Sequence, residues 1–166
     1  MVLGMSLATF TALHVVISLI AIATGLVVAV GMLSASRLPG WTAVFLVTTV
    51  LTSVTGFLFP FTQVLPSHIV GAISLVVLAL ALLALYAKGL AGSWRGVYVI
   101  GSIFALYLNV FVLVVQSFLK IPALNRLAPT GSEPPFLVVQ LVVLALFIWL
   151  GVQAVRRVHP GPARVA

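Results

Sequence analysis

The chain alternates between long, unbroken apolar runs and short polar breaks. Five runs stand out, at 7–33, 41–59, 67–87, 97–119 and 136–155, separated by SASRLPG, PFTQVLP, KGLAGSWRG and KIPALNRLAPTGSEPP. About 20 apolar residues, rising about 1.5 Å each, span a hydrocarbon core of about 30 Å, and each run meets that length. Every break holds glycine, proline or charge, as turns between membrane helices do. The runs are continuous, not alternating, which disfavours a β-barrel. The pattern predicts an all-α bundle of five transmembrane helices, a single domain over residues 1–157 followed by a short basic tail at 158–166. The short Gly-rich third break makes the third and fourth helices antiparallel neighbours. The fourth break is the longest and holds Pro122, Pro129, Pro134 and Pro135. No internal repeat marks an inverted-repeat transporter.

Composition agrees. Of 166 residues 63% are hydrophobic and 5% charged, with a mean hydropathy of +1.37, whereas soluble domains carry about 25% charged residues. A formal charge of +7 comes from eight Lys and Arg against one acidic residue, Glu133. The basic residues lie between or beyond the apolar runs, where they meet lipid headgroups and not nucleic acid. The absence of cysteine excludes thiolate catalysis, disulfides, Cys-ligated zinc and iron–sulfur clusters. The opening MVLGMSLATF lacks a positive n-region and a small-residue cleavage motif, so the first run is expected to remain a structural helix.

The same charges predict an orientation, because Lys and Arg near helix ends favour the cytoplasm. With the amino terminus outside, Arg37, Lys88, Arg95, Arg156, Arg157 and Arg164 fall inside, and only Lys120 and Arg126 outside. Trp41 and Trp94 then mark the inner interface, with Trp149 a little deeper.

Depth along the helices places the polar side chains on one side. His14 lies 23 residues from Arg37, or about 34 Å, and His68 lies 20 residues from Lys88, or about 30 Å. By the same measure Asn109, Gln116 and Gln140 come out about 21, 32 and 24 Å from the cytoplasmic boundary, and Thr52 and Thr55 about 17 and 21 Å. All belong to the outer half, and the inner half carries almost nothing polar beyond Ser and Gly. Helical spacing gathers Thr11, His14, Ser18, Ala21 and Gly25 on one face of the first helix, and Thr48, Thr52, Thr55 and Gly56 on the second. Similar stripes are Ala105, Asn109, Val112, Gln116 and Lys120 on the fourth helix, and Gln140, Leu144, Phe147, Gly151 and Ala154 on the fifth. Small and hydrogen-bonding faces of this kind let membrane helices pack closely.

Ionisable groups inside a membrane are costly and direct attention to function. Two neutral imidazoles on different helices at one depth, His14 and His68, can ligate the iron of a b-type haem from either side. Glu133 would convert the pair into a two-His-one-carboxylate metal site. Against that, Glu133 has ready partners in Lys120 or Arg126, or in the start of the fifth helix at Ser132-Glu133-Pro134-Pro135. A third arrangement is a quinone or lipid-headgroup pocket beneath the loop of residues 120–135. There His14 or His68 with Asn109, Gln116 or Gln140 would hydrogen-bond a carbonyl, walled by Phe57, Phe59, Phe61 and Phe118. His159, among Pro and Arg, reads as a solvated tail residue. No hydrolase triad or nucleotide-binding loop is present, and the spans hold no Asp or Glu for proton or ion transport.

The segments TSVTGFLFPF, LPSHIVGAISL and ALYLNVFVLVVQSFLKIPAL, with SEPPFLVVQLVVLALF, resemble those of small uncharacterised polytopic proteins of bacteria. The resemblance implies a bacterial inner-membrane, multi-pass protein and carries no activity or site residue. Four-helix cytochromes of the b561 kind place more histidines in their spans than this chain does. The expectation is therefore an outer-facing polar pocket for haem or quinone, not a stand-alone enzyme. The alternative is an accessory or assembly subunit. The expected partners are the lipid bilayer together with other membrane subunits or a second copy of the chain, and no nucleic acid.

Overall fold

The structure, a computed structural model, describes residues 2–60 and 66–157. Among these residues it is helical throughout, the sole extended pairing being an isolated bridge between Val2 and Met5. The helices are α1 (Leu7–Leu33), α2 (Pro39–Gly56), α3 (Pro66–Leu82), α4 (Trp94–Lys120), a single turn α5 (Pro122–Asn125) and α6 (Pro134–Arg157). The expected tail at 158–166, with His159 and Arg164, and the expected pocket wall Phe61 lie outside the described residues.

Four helices, α1, α3 with its extension to Ala87, α4 and α6, are long and apolar enough to cross a membrane. They make the chain an integral membrane protein of several spans. α2 stands apart: it has 18 residues, six of them Thr or Ser. Local chemistry sets the ends. Ser6 caps α1 by accepting the Thr9 N–H at 3.1 Å, and prolines sit at the starts of α2, α3, α5 and α6, where a missing N–H costs nothing. α3 widens into a π turn at Leu83–Ala87 and is closed by left-handed Gly89 and Leu90.

α4 is the central strut, packing on α1, α2, α3 and α6. Its core side chains Val99, Ile103, Ala105 and Leu106 meet Phe45 and Leu46 of α2, Leu78 and Ala81 of α3, and Phe147 of α6 within one cluster. α6 buries only Gln140, Phe147 and Ala154 and turns Leu141, Val142, Ile148 and Trp149 outward, as a helix facing lipid does. The closest approach is at Gly25 of α1: a Cβ there would lie 2.6 Å from Leu106 Cδ1 and 2.8 Å from Phe45 Cε2.

The predicted packing faces need three corrections. On α1, Ala21 and Gly25 are buried, but Thr11 is exposed and returns its hydroxyl to the Leu7 carbonyl at 2.8 Å. On α2 the buried face is Thr42, Phe45, Leu46, Thr49 and Ser53, with Thr48, Thr52 and Thr55 at its margin. Hydroxyls bonded to a carbonyl one turn back are satisfied in any environment, so their spacing did not reveal which of them face inward. On α6, Leu144 lies exposed beside the buried Gln140 and Phe147.

Candidate functional site

Towards the end of the bundle where α1 begins and α2 ends, four helices leave a cavity of about 190 Å³. α1 contributes His14, Ser18 and Ile22, and α2 contributes Thr52, Ser53 and Gly56. Ser67, His68, Gly71 and Ser74 come from α3, and Asn109, Val112 and Gln116 from α4, with Phe57 just beyond α2. His14, His68, Asn109 and Gln116, drawn from three separate runs of the sequence, thus line one space.

His14 is half-buried, and its Nδ1 lies 2.7 Å from Thr55 Oγ1. Thr55 Oγ1 also donates to the Leu51 carbonyl at 2.6 Å, which leaves it lone pairs to accept an Nδ1–H of His14. In the neutral tautomer that donates from Nδ1, Nε2 carries the lone pair, able to accept a hydrogen bond or ligate a metal. Phe59 stands edge-on to the imidazole at 5.2 Å and packs against Phe10 at 4.9 Å, holding the ring in place. His68, at the start of α3, lies 5.7 Å from the Phe57 ring. Phe57 in turn occupies the space above Gly71, where a Cβ would approach its ring to 3.1 Å.

Behind the histidines the site is tied together across helices. Ser53 Oγ donates to Ser74 Oγ at 3.1 Å, joining α2 to α3. Asn109, 9% exposed, reaches Thr49 Oγ1 through Nδ2 at 3.4 Å, joining α4 to α2. Ser53 and Ser74 are two cavity residues that sequence reasoning missed. A lone serine in an apolar run carries no signal of its own, and only its partner on the neighbouring helix distinguishes it.

Other expected members lie elsewhere. Gln140 is buried between α6 and α4 and donates from Nε2 to the Phe111 carbonyl at 3.2 Å, so it joins helices and does not line the cavity. Phe118 pairs with Phe136 at 5.4 Å, away from the histidines. No residue of the loop 120–135 lines the cavity. That loop is organised over the end of α4 instead, with Asn125 Nδ2 donating to the Phe118 carbonyl at 3.2 Å.

Glu133 is committed to its own turn, which removes the two-His-one-carboxylate arrangement. Its carboxylate accepts from the Thr130 N–H at 3.0 Å, the Thr130 hydroxyl at 2.9 Å and the Ser132 N–H at 3.1 Å. Its main-chain carbonyl accepts the Leu137 N–H at the start of α6. Desolvation alone would raise its pKa, but these donors outweigh it and hold the carboxyl below its ordinary value of 4.5. Among the described residues no group of three or more His, Asp or Glu side chains is placed to hold a metal ion.

No family model, curated protein or solved structure matches the chain.

Proposed function

We propose that this is a five-crossing protein of a bacterial inner membrane, its amino terminus outside, whose histidine-lined cavity binds the ring headgroup of a quinone or quinol. The observation that carries the reading is the convergence of His14, His68, Asn109 and Gln116 on the wall of one largely apolar cavity. An Nε2 lone pair there can accept the O–H of a quinol, and the Gln116 amide can donate to a ring carbonyl. The volume of about 190 Å³ falls short of the roughly 300–1,000 Å³ of sites that enclose a whole drug-sized ligand. It suits a ring headgroup whose tail stays in lipid. For the same reason a b-type haem bound through His14 and His68 draws less support, since a macrocycle needs more room. α2 completes the five crossings in this reading, its hydroxyls being internally bonded.

The test is purification in mild detergent, followed by quinone extraction and an absorption spectrum. Co-purifying quinone, or saturable binding of an added quinone, is expected, lost on His14→Ala and kept on Gln140→Ala. A Soret band would transfer the site to haem. Absence of both, with identical titrations for the two variants, would sink the binding reading.

The accessory-subunit alternative rests on a different observation, the sparse burial of α6. It predicts that a charge placed at Leu141 or Ile148 disrupts co-purification with a partner or a second copy. Dispersal of the protein as a stable monomer without any partner would count against it.

A further inference from the structure

A larger cavity, about 400 Å³, opens at the opposite end of the bundle, where the sequence offered little beyond Ser and Gly. Three arginines from separate parts of the chain line it: Arg37 before α2, Arg95 in the first turn of α4 and Arg157 at the end of α6. Its other walls are apolar, with Val28, Met32, Leu85 and Val99 beneath the charges, and Tyr86, Tyr98 and Thr42 add hydroxyls. Ala35 and Leu90, at φ of 53° and 60°, are non-glycine residues in the left-handed region, and both line this cavity. Such backbone costs of order 1–3 kcal/mol and persists where the surrounding structure enforces it.

The sequence contains a single side-chain carboxylate, Glu133, which is bound to Thr130 and Ser132 beyond the far end of α6 from Arg157. Among the described residues that line the cavity none carries a carboxylate side chain. Guanidinium groups recognise phosphate through paired N–H donors, and the apolar floor offers a place for hydrocarbon. We propose that this cavity is a binding site for an anionic phospholipid, its phosphate held by Arg37, Arg95 and Arg157 and the top of its acyl chains lodged against Val28, Met32 and Val99.

Native mass spectrometry of the full chain in detergent, titrated with phosphatidylglycerol, phosphatidylcholine or inorganic phosphate, tests this. Saturable binding of phosphatidylglycerol is expected, with phosphatidylcholine and inorganic phosphate each at least about tenfold weaker. Arg37→Gln with Arg157→Gln should weaken phosphatidylglycerol by about tenfold or more, since each change removes charge-assisted hydrogen bonds. Lys120→Gln with Arg126→Gln removes the same charge at the other end and should leave binding within about twofold. Arg37→Lys keeps the charge but loses the fork and should be intermediate. Helicity and elution volume of each variant establish that it is folded. Equal losses in the two double variants would reduce the effect to net charge and overturn the proposal. So would non-saturable binding, or inorganic phosphate binding as tightly as the lipid.

Discussion

Gly25 is the position where the packing is most exacting, and its replacement by alanine tests the bundle directly. A Cβ would lie 2.6 Å from Leu106 Cδ1 and 2.8 and 2.9 Å from two Phe45 ring carbons, whereas carbon atoms in favourable contact sit about 3.5–4.0 Å apart. Relief requires about 1 Å of movement, and neither neighbour yields easily, since Leu106 and Phe45 are each 1% exposed. α1 must therefore retreat from α2 and α4, an overpacking strain of about 1–3 kcal/mol. The gain in helix propensity from Gly to Ala, about 0.5–1 kcal/mol, works in the opposite direction. The net expectation is a loss of roughly 0.5–2 kcal/mol on combining the two terms. Gly96 of α4 provides the internal reference, because a Cβ there meets nothing within 4 Å and only the propensity gain remains. The assay is reversible unfolding in mixed micelles of increasing sodium dodecyl sulfate fraction, followed by circular dichroism, for the parent chain and both variants. If Gly25→Ala proves as stable as Gly96→Ala, the close three-helix contact is wrong.

Further expectations are open to similar tests. Thr49→Val should cost no more than about 0.6 kcal/mol in the same unfolding assay, the average for an interhelical hydrogen bond in a membrane. The reason is that the Thr49 hydroxyl is already bonded to the Phe45 carbonyl at 2.7 Å and receives Asn109 only at 3.4 Å. Glu133, whose carboxyl is held below its ordinary 4.5 in the folded loop, stabilises that loop above this value and loses the contribution as pH falls through the folded pKa. The protection of the Thr130 and Ser132 amides, taken as hydrogen exchange relative to the intrinsic rate at each pH, should therefore fall on acidification, and Glu133→Gln should flatten the dependence. A reporter fused at residue 157 should be active on the cytoplasmic side, and one inserted at residue 130 on the outer side; reversal would overturn the proposed orientation.

Much of the architecture was legible because the membrane imposes a length rule. Runs of apolar residues between Gly, Pro and charged breaks gave α1 at its observed ends, and α2, α4, α6 and α3 taken together with its π turn to within three residues. The shared depth of His14, His68 and Gln116 followed from the constant helical rise, and those residues do line one cavity with Asn109. Rotation about each helix axis was less legible. Gln140 stands near the right depth but faces α4, and the hydroxyl stripe on α2 was misjudged by about one position, because a back-bonded threonine is tolerated on any side. The Arg37–Arg95–Arg157 cavity escaped notice for a different reason. Arginines at helix ends are read as orientation signals, and only the fold shows that three of them converge.

The back-bonded hydroxyls of α2 bear on how the chain enters its membrane. Thr48, Thr52 and Thr55 each donate to a carbonyl one turn earlier, which lowers the cost of exposing them to hydrocarbon. Yet this helix has the weakest claim to partition unaided, since it falls outside those that qualify on length and composition. Its packing against α1, joined by a connection of only five residues between Leu33 and Pro39, gives it a neighbour already in the bilayer. In the proposed five-crossing arrangement the two would enter as a hairpin during biogenesis. A point change that weakens their contact would then be felt as failed insertion during synthesis as well as lower stability afterwards.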